Sequence, residues 1–319
     1  MSGSSLNIVL VCEESAGMQT LRLLIRSPHH LVTVVTSESE APSSIWTVAH
    51  KAGIETIPAA DIRLPDFASR LVQRNTDVLL NVHSLCLIPG NVLEACRVGA
   101  FNLHPGPLPE YAGLDVPNWA IYNGETRHGV TLHHMATCVD AGFIAYHDEF
   151  DISPSDTGLT LMSRCVRAGI PLVEQLLTQL YTDAEAVPRL AQDLTQRHYY
   201  RREPPNGGWL DWRRTAAEVA RHVRASDYLP FASPWGFPQT MVGHTRVQVL
   251  KAEATDIPTD TKACGLVKEV NAEHALVAAS DNLVRVRTIA LPDSATTSPS
   301  GFLKPEMQLT SGASETVPA

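Results

Sequence analysis

The sequence predicts an α/β protein with a doubly wound, mostly parallel sheet, followed by a small open β-barrel. Two patterns support this prediction. Through the first half of the chain, short continuous apolar runs alternate with segments of helical period, which is typical of parallel strands buried on both faces. After residue 208 the pattern changes to short, evenly spaced strands of alternating polarity, which favours a barrel.

The elements of the first half follow in a regular order. Strands are predicted at residues 6–12, 31–35, 54–57, 77–83, 100–104, 129–135 and 143–152. Helices are predicted up to Pro28 and at 45–52, 67–73, 89–96 and 116–122, with a long helix after Ser155 or Asp156. We therefore expect a catalytic domain over residues 1–190.

The second half is predicted to be a separate module. A linker over residues 191–208 contains Pro204-Pro205-Asn206-Gly207-Gly208, and it precedes a barrel-like module over 209–291. Residues 292–319 are rich in Ser, Thr and Pro and are expected to be largely disordered. Phe302 and Leu303 are the residues of this tail that could dock.

Three side chains suited to acyl transfer lie at strand ends. Asn102 and His104 are two residues apart in the run 100–104, so they share one face of a strand. Pro105, and two further prolines after it, end that strand. Asp140 lies in the loop between the next two strands. Each of the three alone is commonly a turn or loop residue, but together an amide, an imidazole and a carboxylate suit acyl transfer.

The spacing around these residues carries a family resemblance. Asn-x-His-Pro at 102–105, Leu-Pro-x-Tyr-x-Gly at 108–113, Gly-Val-Thr-x-His at 129–133 and Asp-x-Gly at 140–142 occur in one order. This block resembles the formyltransferases that use 10-formyltetrahydrofolate. The resemblance implies a Rossmann-like sheet, an OB-like C-terminal module and formyl transfer from that folate. It also implies catalytic roles for Asn102, His104 and Asp140.

The resemblance further implies where the substrates bind. The loop after the strand 77–83 and the loop around Asp140 are expected to bind the pterin of the formyl donor; their candidate residues are His83, Ser84, Leu85, Cys86, Ile88, Thr137, Val139 and Gly142. The candidate acceptor-binding residues are Gly106, Pro107 and Tyr111, although Tyr111 equally suits packing of the proline loop. Gly106 and Ala141 depart from the Ser and Thr that relatives often carry there.

The expected reaction is direct attack of an amine nitrogen on the formyl carbon. Asn102 and protonated His104 are expected to stabilise the oxyanion of the tetrahedral intermediate. Asp140 is expected to accept the proton of the attacking amine. His133 is expected to line the core or the pocket and is given no catalytic role.

Composition excludes several other classes of protein. No apolar run approaches the about 20 residues that span a bilayer, and the six scattered cysteines favour a reducing cytoplasm. The thirteen histidines show no zinc-binding spacing, so no metal is expected. The first strand–helix turn has the single glycine Gly17 beside Glu13 and Glu14, which disfavours a dinucleotide-dependent oxidoreductase.

The acceptor is expected to be a small amine. The segment 37–42 is acidic and the formal net charge is −9, which disfavours nucleic acid. The run 111–121 is similar to formylating enzymes of nonribosomal peptide pathways, so we expect an ornithine-like or hydroxyornithine-like acceptor of the siderophore-precursor type. Alternatives are an aminoacyl carrier protein, a nucleotide amino sugar, methionyl-tRNA, hydrolysis of the formyl donor, and a folate-binding protein without turnover.

Overall fold

The computed structural model describes residues 4–84, 86–259, 262–292 and 296–312. The chain divides into two compact units. The first unit contains residues 1–113, 127–150 and 163–199, and the second contains 114–126, 151–162 and 200–319. The sequence predicted one boundary region near residue 200, but two earlier segments also belong to the second unit. The segment 114–126 belongs to the second unit because its helix packs against other residues of that unit.

The sheet of the first unit is built from seven strands in the order β3-β2-β1-β4-β5-β7-β8. These strands are β1 (Asn7–Cys12), β2 (His30–Thr36), β3 (Glu55–Pro58), β4 (Val78–Val82), β5 (Gly99–His104), β7 (Arg127–His134) and β8 (Ile144–Asp151). The short strand β6 (Ala112–Gly113) follows β5 in the chain but is not part of this sheet. The pairs from β3 to β5 are parallel, and β7 is antiparallel to β5. The predicted mostly parallel sheet is confirmed.

Helices cover both faces of this sheet. The helices of the chain are α1 (Glu14–Arg26), α2 (Ile45–Lys51), α3 (Phe67–Gln73), α4 (Gly90–Glu94), α5 (Val116–Asn123), α6 (Gly158–Thr182) and α7 (Ala216–Ala225). Alternate residues of β1 enter two different cores. Leu10 lies in the core that contains Leu21 and Leu176, whereas Val9 lies in the core that contains Phe67. This alternation follows from the period of two in a strand, and it confirms the doubly wound arrangement.

The start of α6 differs from the sequence prediction. Ser155 or Asp156 was expected to cap this helix, but the Oγ1 of Thr157 accepts the N–H of Thr160 at 3.3 Å. The carboxylate of Asp156 instead accepts hydrogen bonds from Ser153 N and Thr160 Oγ1. A threonine directly before the first turn is a common helix cap. Within the described ranges, no helix combines the length and the apolar character needed to cross a bilayer.

The second unit contains an antiparallel sheet that curls into a half-barrel, which confirms the predicted barrel-like module. The remaining strands of the chain are β9 (Tyr199–Tyr200), β10 (Gln239–Val242), β11 (Thr245–Pro258), β12 (Val267–Val270), β13 (Ala275–Ala278), β14 (Asn282–Ala290), β15 (Thr296–Thr297) and β16 (Leu309–Thr310). The order of the sheet is β12-β13-β14-β11-β10-β16, and β15 pairs with β14. Its core is apolar and includes Leu210, Trp212 and Val249.

The predicted disordered tail is wrong for residues 296–312. β16 pairs with β10, and the side chains of Leu303 and Leu309 are each only 2% exposed. The polar composition of this stretch suggested disorder, but these two leucines bury enough apolar surface to hold it on the sheet. Residues 293–295 and 313–319 lie outside the described part of the chain.

Candidate active site

Asn102 is placed at the centre of a row of polar side chains. On one side, β5 pairs with β4 so that Asn102 lies opposite Asn81, whose Nδ2 donates to Asn102 Oδ1 at 2.8 Å. On the other side, β7 places His133 opposite Asn102, and Asn102 Nδ2 lies 3.0 Å from His133 Nε2. The Asn102 amide is therefore held from both neighbouring strands.

His133 determines which atoms of that amide remain available. Its Nδ1 lies 2.8 Å from the carbonyl oxygen of His134, and because a carbonyl only accepts, Nδ1 carries the proton. In the neutral ring Nε2 is then an acceptor for one N–H of Asn102. The second N–H of Asn102 takes part in neither of these two contacts.

His104 follows two residues later on the same strand and is buried, with 3% of its surface exposed. Its Nε2 donates to the carbonyl oxygen of Tyr111 at 2.6 Å, and its Nδ1 lies 3.8 Å from Asp140 Oδ2. The proline turn brings Tyr111 back to this position, and His128 Nε2 donates to the carbonyl of Pro105 in that turn at 2.9 Å. Neutral His104 therefore presents an unprotonated Nδ1 toward Asp140.

Burial lowers the pKa of His104 below its ordinary value of 6.5, although Asp140 and the Tyr111 carbonyl act in the opposite direction. The imidazolium expected from the sequence is thus disfavoured, because the buried site removes the water that would solvate its charge. Burial therefore favours the neutral form of the His104 imidazole.

Asp140 is positioned by its own backbone and by a neighbouring amide. Its φ is +55°, a left-handed conformation that residues other than glycine rarely adopt. Gly113 N donates to Asp140 Oδ2 at 2.9 Å, and Asp140 Oδ1 lies 3.5 Å from His133 Nε2. Burial by itself raises the pKa of Asp140, but His104 and His133 in their protonated forms, together with the Gly113 N–H, lower it well below its ordinary value. The carboxylate is ionised.

The structure thus brings Asn102, His104 and Asp140 together, as the strand-end argument expected, although their roles stay predictions. It adds His133, which touches both Asn102 and Asp140 and which sequence reasoning left without a role. The register of an antiparallel pair places it there, and no local pattern in the sequence encodes that register.

The two predicted donor-binding loops are neighbours in the first unit. A methyl group of Thr137 lies against Gly90, at the end of the loop that begins with His83. Burial, and then His104, lower the pKa of His83 to about 4, so this loop begins with a neutral imidazole. Val139 is 38% exposed and offers apolar surface. Gly142 packs so closely on the His134 carbonyl that any Cβ would collide with it.

The other predicted donor-binding residues have local structural contacts. Ser84 Oγ accepts the N–H of Cys86 at 3.1 Å, and Cys86 Sγ lies 3.7 Å from the carbonyl of Ala59. Ile88 packs against the core that contains Phe67. Leu85 lies outside the described residues. Binding of a pterin by these loops remains a prediction.

Among the predicted acceptor-binding residues, two are buried. The carbonyl of Gly106 accepts Thr131 Oγ1 at 2.8 Å. Tyr111 is 7% exposed, and its ring packs edge to face on His128 at a centroid distance of 5.7 Å. Pro107 lines a cavity of about 270 Å³ in the first unit. Across the described ranges, no group of three or more His, Cys, Asp or Glu side chains could hold a metal ion.

The mostly parallel sheet carries an amide, an imidazole and a carboxylate at its strand ends, a combination that suits acyl transfer. The chain belongs to the formyl transferase family, since the sequence model of that family matches residues 2–175 and the model of the formyl transferase C-terminal domain matches residues 204–306. It is accordingly an enzyme, a formyltransferase.

Solved structures share this fold at low sequence identity. A sugar 3N-formyl transferase, WlaRD, studied with dTDP and 5-N-formyl-THF, is 16% identical with a TM-score of 0.67, covering 92% of this chain and 100% of its own. An N-formyltransferase from Helicobacter canadensis, in complex with folinic acid and dTDP-3-aminofucose, is 16% identical with a TM-score of 0.68, covering 89% and 99%. HypX from Aquifex aeolicus, in complex with tetrahydrofolic acid, is 17% identical with a TM-score of 0.59, covering 92% of this chain and 45% of its own. These TM-scores establish a shared fold.

Proposed function

We propose that this enzyme transfers the formyl group of 10-formyltetrahydrofolate to an amine nitrogen of a small molecule. The observation that carries this proposal is the oriented amide of Asn102 beside neutral His104 and ionised Asp140. The folate complexes of two structural neighbours support the choice of donor.

The donor is a second substrate, and the residues of the first unit suit it. The loop from His83 to Ile88 and the loop from Thr137 to Gly142 meet where Thr137 contacts Gly90. They offer the partly exposed Val139 for an apolar ring face and the side chains of His83 and Ser84 for hydrogen bonds. This combination of apolar lining and a few fixed polar groups is typical of small-molecule sites.

The chemistry balances without a covalent enzyme intermediate. The amine nitrogen forms a bond to the formyl carbon, and the bond between that carbon and N10 of the folate breaks. The second N–H of Asn102 donates to the oxyanion between these events. His104 Nδ1 takes the proton of the attacking amine, Asp140 stabilises the resulting imidazolium, and the proton then passes to N10.

We infer that the acceptor is cationic, of the ornithine or hydroxyornithine type used in siderophore biosynthesis. The carboxylate of Asp140, and that of Glu14 at 3.9 Å from His83, give the candidate site a negative character. Glu38 and Glu40 follow β2 in the chain, and with the net charge of −9 they add to the negative charge of the protein. An ammonium group on the acceptor is attracted by these charges, whereas a diphosphate is repelled.

Arg201 and Arg202 are exposed, whereas six other arginines that could bind a diphosphate have partners elsewhere. Their partners are the Phe143 ring for Arg189, Val139 O for Arg197, Asp211 for Arg213, Glu218 for Arg214, Tyr122 O for Arg221 and Asp156 O for Arg224. A nucleotide amino sugar is nevertheless the second candidate, because WlaRD is described as a sugar formyltransferase and the Helicobacter canadensis enzyme was solved with a nucleotide amino sugar. An aminoacyl carrier protein and methionyl-tRNA rank lower, since their anionic surfaces meet the same negative charge.

All six cysteines are free, which supports a reducing cytoplasm.

The test is mass spectrometry of acceptors incubated with the enzyme and 10-formyltetrahydrofolate. The panel contains ornithine, N5-hydroxyornithine, dTDP-amino sugars and methionyl-tRNA. We expect a mass gain of one formyl group on an ornithine-type amine. Faster formylation of an amino sugar would place that acceptor above ornithine. Release of formate without any formylated amine would show that the enzyme hydrolyses the formyl donor.

The same assay tests the three candidate catalytic residues. Asn102→Ala, His104→Ala and Asp140→Ala are each expected to lower kcat at least about a hundredfold, because loss of one preorganised group costs about 2.7–4 kcal/mol in comparable sites. Circular dichroism and thermal unfolding check that each variant folds. Near-normal turnover in any two of them would refute the mechanism.

A further inference from the structure

Two side chains that follow α6 hold the backbone of the Asp140 loop. Gln192 Nε2 donates to the carbonyl oxygen of Gly142 at 2.6 Å and to that of Asp140 at 3.0 Å. Arg197 Nη2 donates to the carbonyl oxygen of Val139 at 2.9 Å. Three carbonyls of one short loop thus accept hydrogen bonds from a segment about fifty residues further along the chain.

The Gln192 amide can hold this loop in one orientation only. Both of its contacts are carbonyl oxygens, so the contacting atom must be the NH₂ group, whose two hydrogens match two acceptors. The oxygen Oε1 would repel the same carbonyls. Oε1 is also buried without a partner in the described part of the chain, so the donor side of the amide alone makes this connection.

The loop needs an external restraint because its conformation is uncommon. Asp140 has φ +55°, and a non-glycine residue in this region persists only when its surroundings hold it there. Gly142 lies directly against the carbonyl of His134, which leaves the loop little room to shift toward β7. The Gly113 N–H fixes the carboxylate itself at 2.9 Å. Gln192 fixes the backbone that carries this carboxylate.

We propose that Gln192 is a positioning residue that sets the place of the Asp140 carboxylate relative to His104. This inference rests on the proposed function, in which Asp140 stabilises protonated His104. Without the two hydrogen bonds the loop relaxes, and the 3.8 Å separation between His104 Nδ1 and Asp140 Oδ2 is no longer maintained. A misplacement of about 1 Å can lower turnover about a hundredfold.

The first experiment compares Gln192→Met with Gln196→Met. Methionine has nearly the same length as glutamine but no donor. Gln196 lies on the same segment, and its Nε2 donates to Asp193 Oδ2 at 3.0 Å instead of to the loop. We expect kcat to fall about 10- to 100-fold in Gln192→Met and to change less than twofold in Gln196→Met. Gln192→Glu, which places a carboxylate against two carbonyls, is expected to lower kcat at least as much as Gln192→Met.

The second experiment separates positioning from general destabilisation. In an Asp140→Asn background, Gln192→Met should lower the residual kcat less than twofold, because the carboxylate that it positions is absent. Retention of wild-type kcat by Gln192→Met, or an equal loss in both backgrounds, overturns the proposal.

A third measurement does not depend on turnover. Hydrogen exchange of the peptide that covers residues 136–144 should accelerate at least tenfold in Gln192→Met and stay unchanged in Gln196→Met. If the wild-type protein formylates no amine, the proposed function fails. The exchange measurement still tests whether Gln192 restrains the Asp140 loop. Unchanged exchange in Gln192→Met overturns the positioning role whatever the activity.

Discussion

At the scale of single residues, the Asn102 amide is the group whose orientation the fold controls most closely. Asn81 holds its oxygen and His133 holds one of its two N–H groups. An oxyanion donor is effective when it is already oriented before the reaction, since no free energy is then needed to turn it. His133 therefore contributes by orienting Asn102 through a contact across two strands.

The first prediction concerns His133. His133→Leu removes the acceptor for Asn102 Nδ2, so the amide can rotate and kcat should fall about tenfold or more. His133→Gln offers an amide oxygen at a similar distance and should recover part of that loss. The double variant Asn102→Ala with His133→Leu should lose less than the product of the two single losses, because His133 orients Asn102 as well as contacting Asp140. Independent, multiplicative losses would show that His133 does not act through Asn102.

The second prediction concerns the protonation of His104. Because burial holds its pKa below 6.5, the neutral, proton-accepting form predominates at pH 7. Acidification protonates it, so kcat should decrease at a pH below 6.5 and should show no decrease between pH 7 and 8 from this group. A pH series of kcat at saturating donor and acceptor measures this. A rate that declines as the pH rises through 6 to 7 would instead identify the imidazolium as the active form.

At the scale of elements, the loop between β7 and β8 connects the sheet to the candidate site. It begins after His134, contains the left-handed Asp140, and returns at Gly142, which lies against the end of β7. Backbone hydrogen bonds hold its two ends, at Met135 and Phe143, whereas side chains hold the carbonyls around Asp140. The geometry of Asp140 therefore depends on close packing at a glycine and on hydrogen bonds from a distant segment.

The third prediction tests this packing. Gly142→Ala introduces a methyl group where the His134 carbonyl already lies, so the loop must move and kcat should fall at least about tenfold. Ala141→Ser, a change of similar size at the adjacent half-buried position, should retain most of the activity. Kinetics and thermal unfolding of both variants give the comparison. Equal activity in the two variants would show that the loop tolerates displacement.

At the scale of the whole molecule, buried neutral histidines make stability dependent on pH. Burial is the main cause that lowers the pKa of His83, His128 and His222 from 6.5 to about 4. Each is neutral in the folded protein at pH 5, whereas the unfolded chain binds a proton there. The unfolded state is therefore favoured by acid, and stability rises with pH up to about 6.5.

The fourth prediction follows from this increase of stability with pH. Between pH 6.5 and 4 each of these histidines should reduce the free energy of unfolding by up to about 1.4 kcal/mol per pH unit. Denaturant unfolding at pH 7, 6 and 5 measures the slope. His222→Leu, which removes one titrating group, should make the slope shallower. An unchanged slope in His222→Leu would contradict this account.

The sequence alone was sufficient for the features that depend on local periodicity. The apolar runs of β1 and β4 predicted buried parallel strands, because such strands are covered on both faces. The spacing of Asn102 and His104, with Pro105 directly after them, predicted two polar side chains on one face at a strand end. The period of two in a strand and the geometry of proline are properties of the chain itself, so these features could be read without the fold.

The tertiary structure decided everything that depends on pairing between distant segments. The antiparallel register of β5 and β7 places His133 beside Asn102. The burial of His104 selects its neutral form, and the path of the chain after α6 brings Gln192 to the Asp140 loop. The order of residues 296–312 likewise depends on a sheet formed by earlier strands. Register, burial and long-range hydrogen bonds arise only when remote parts of the chain meet, and for this reason no local pattern in the sequence predicted them.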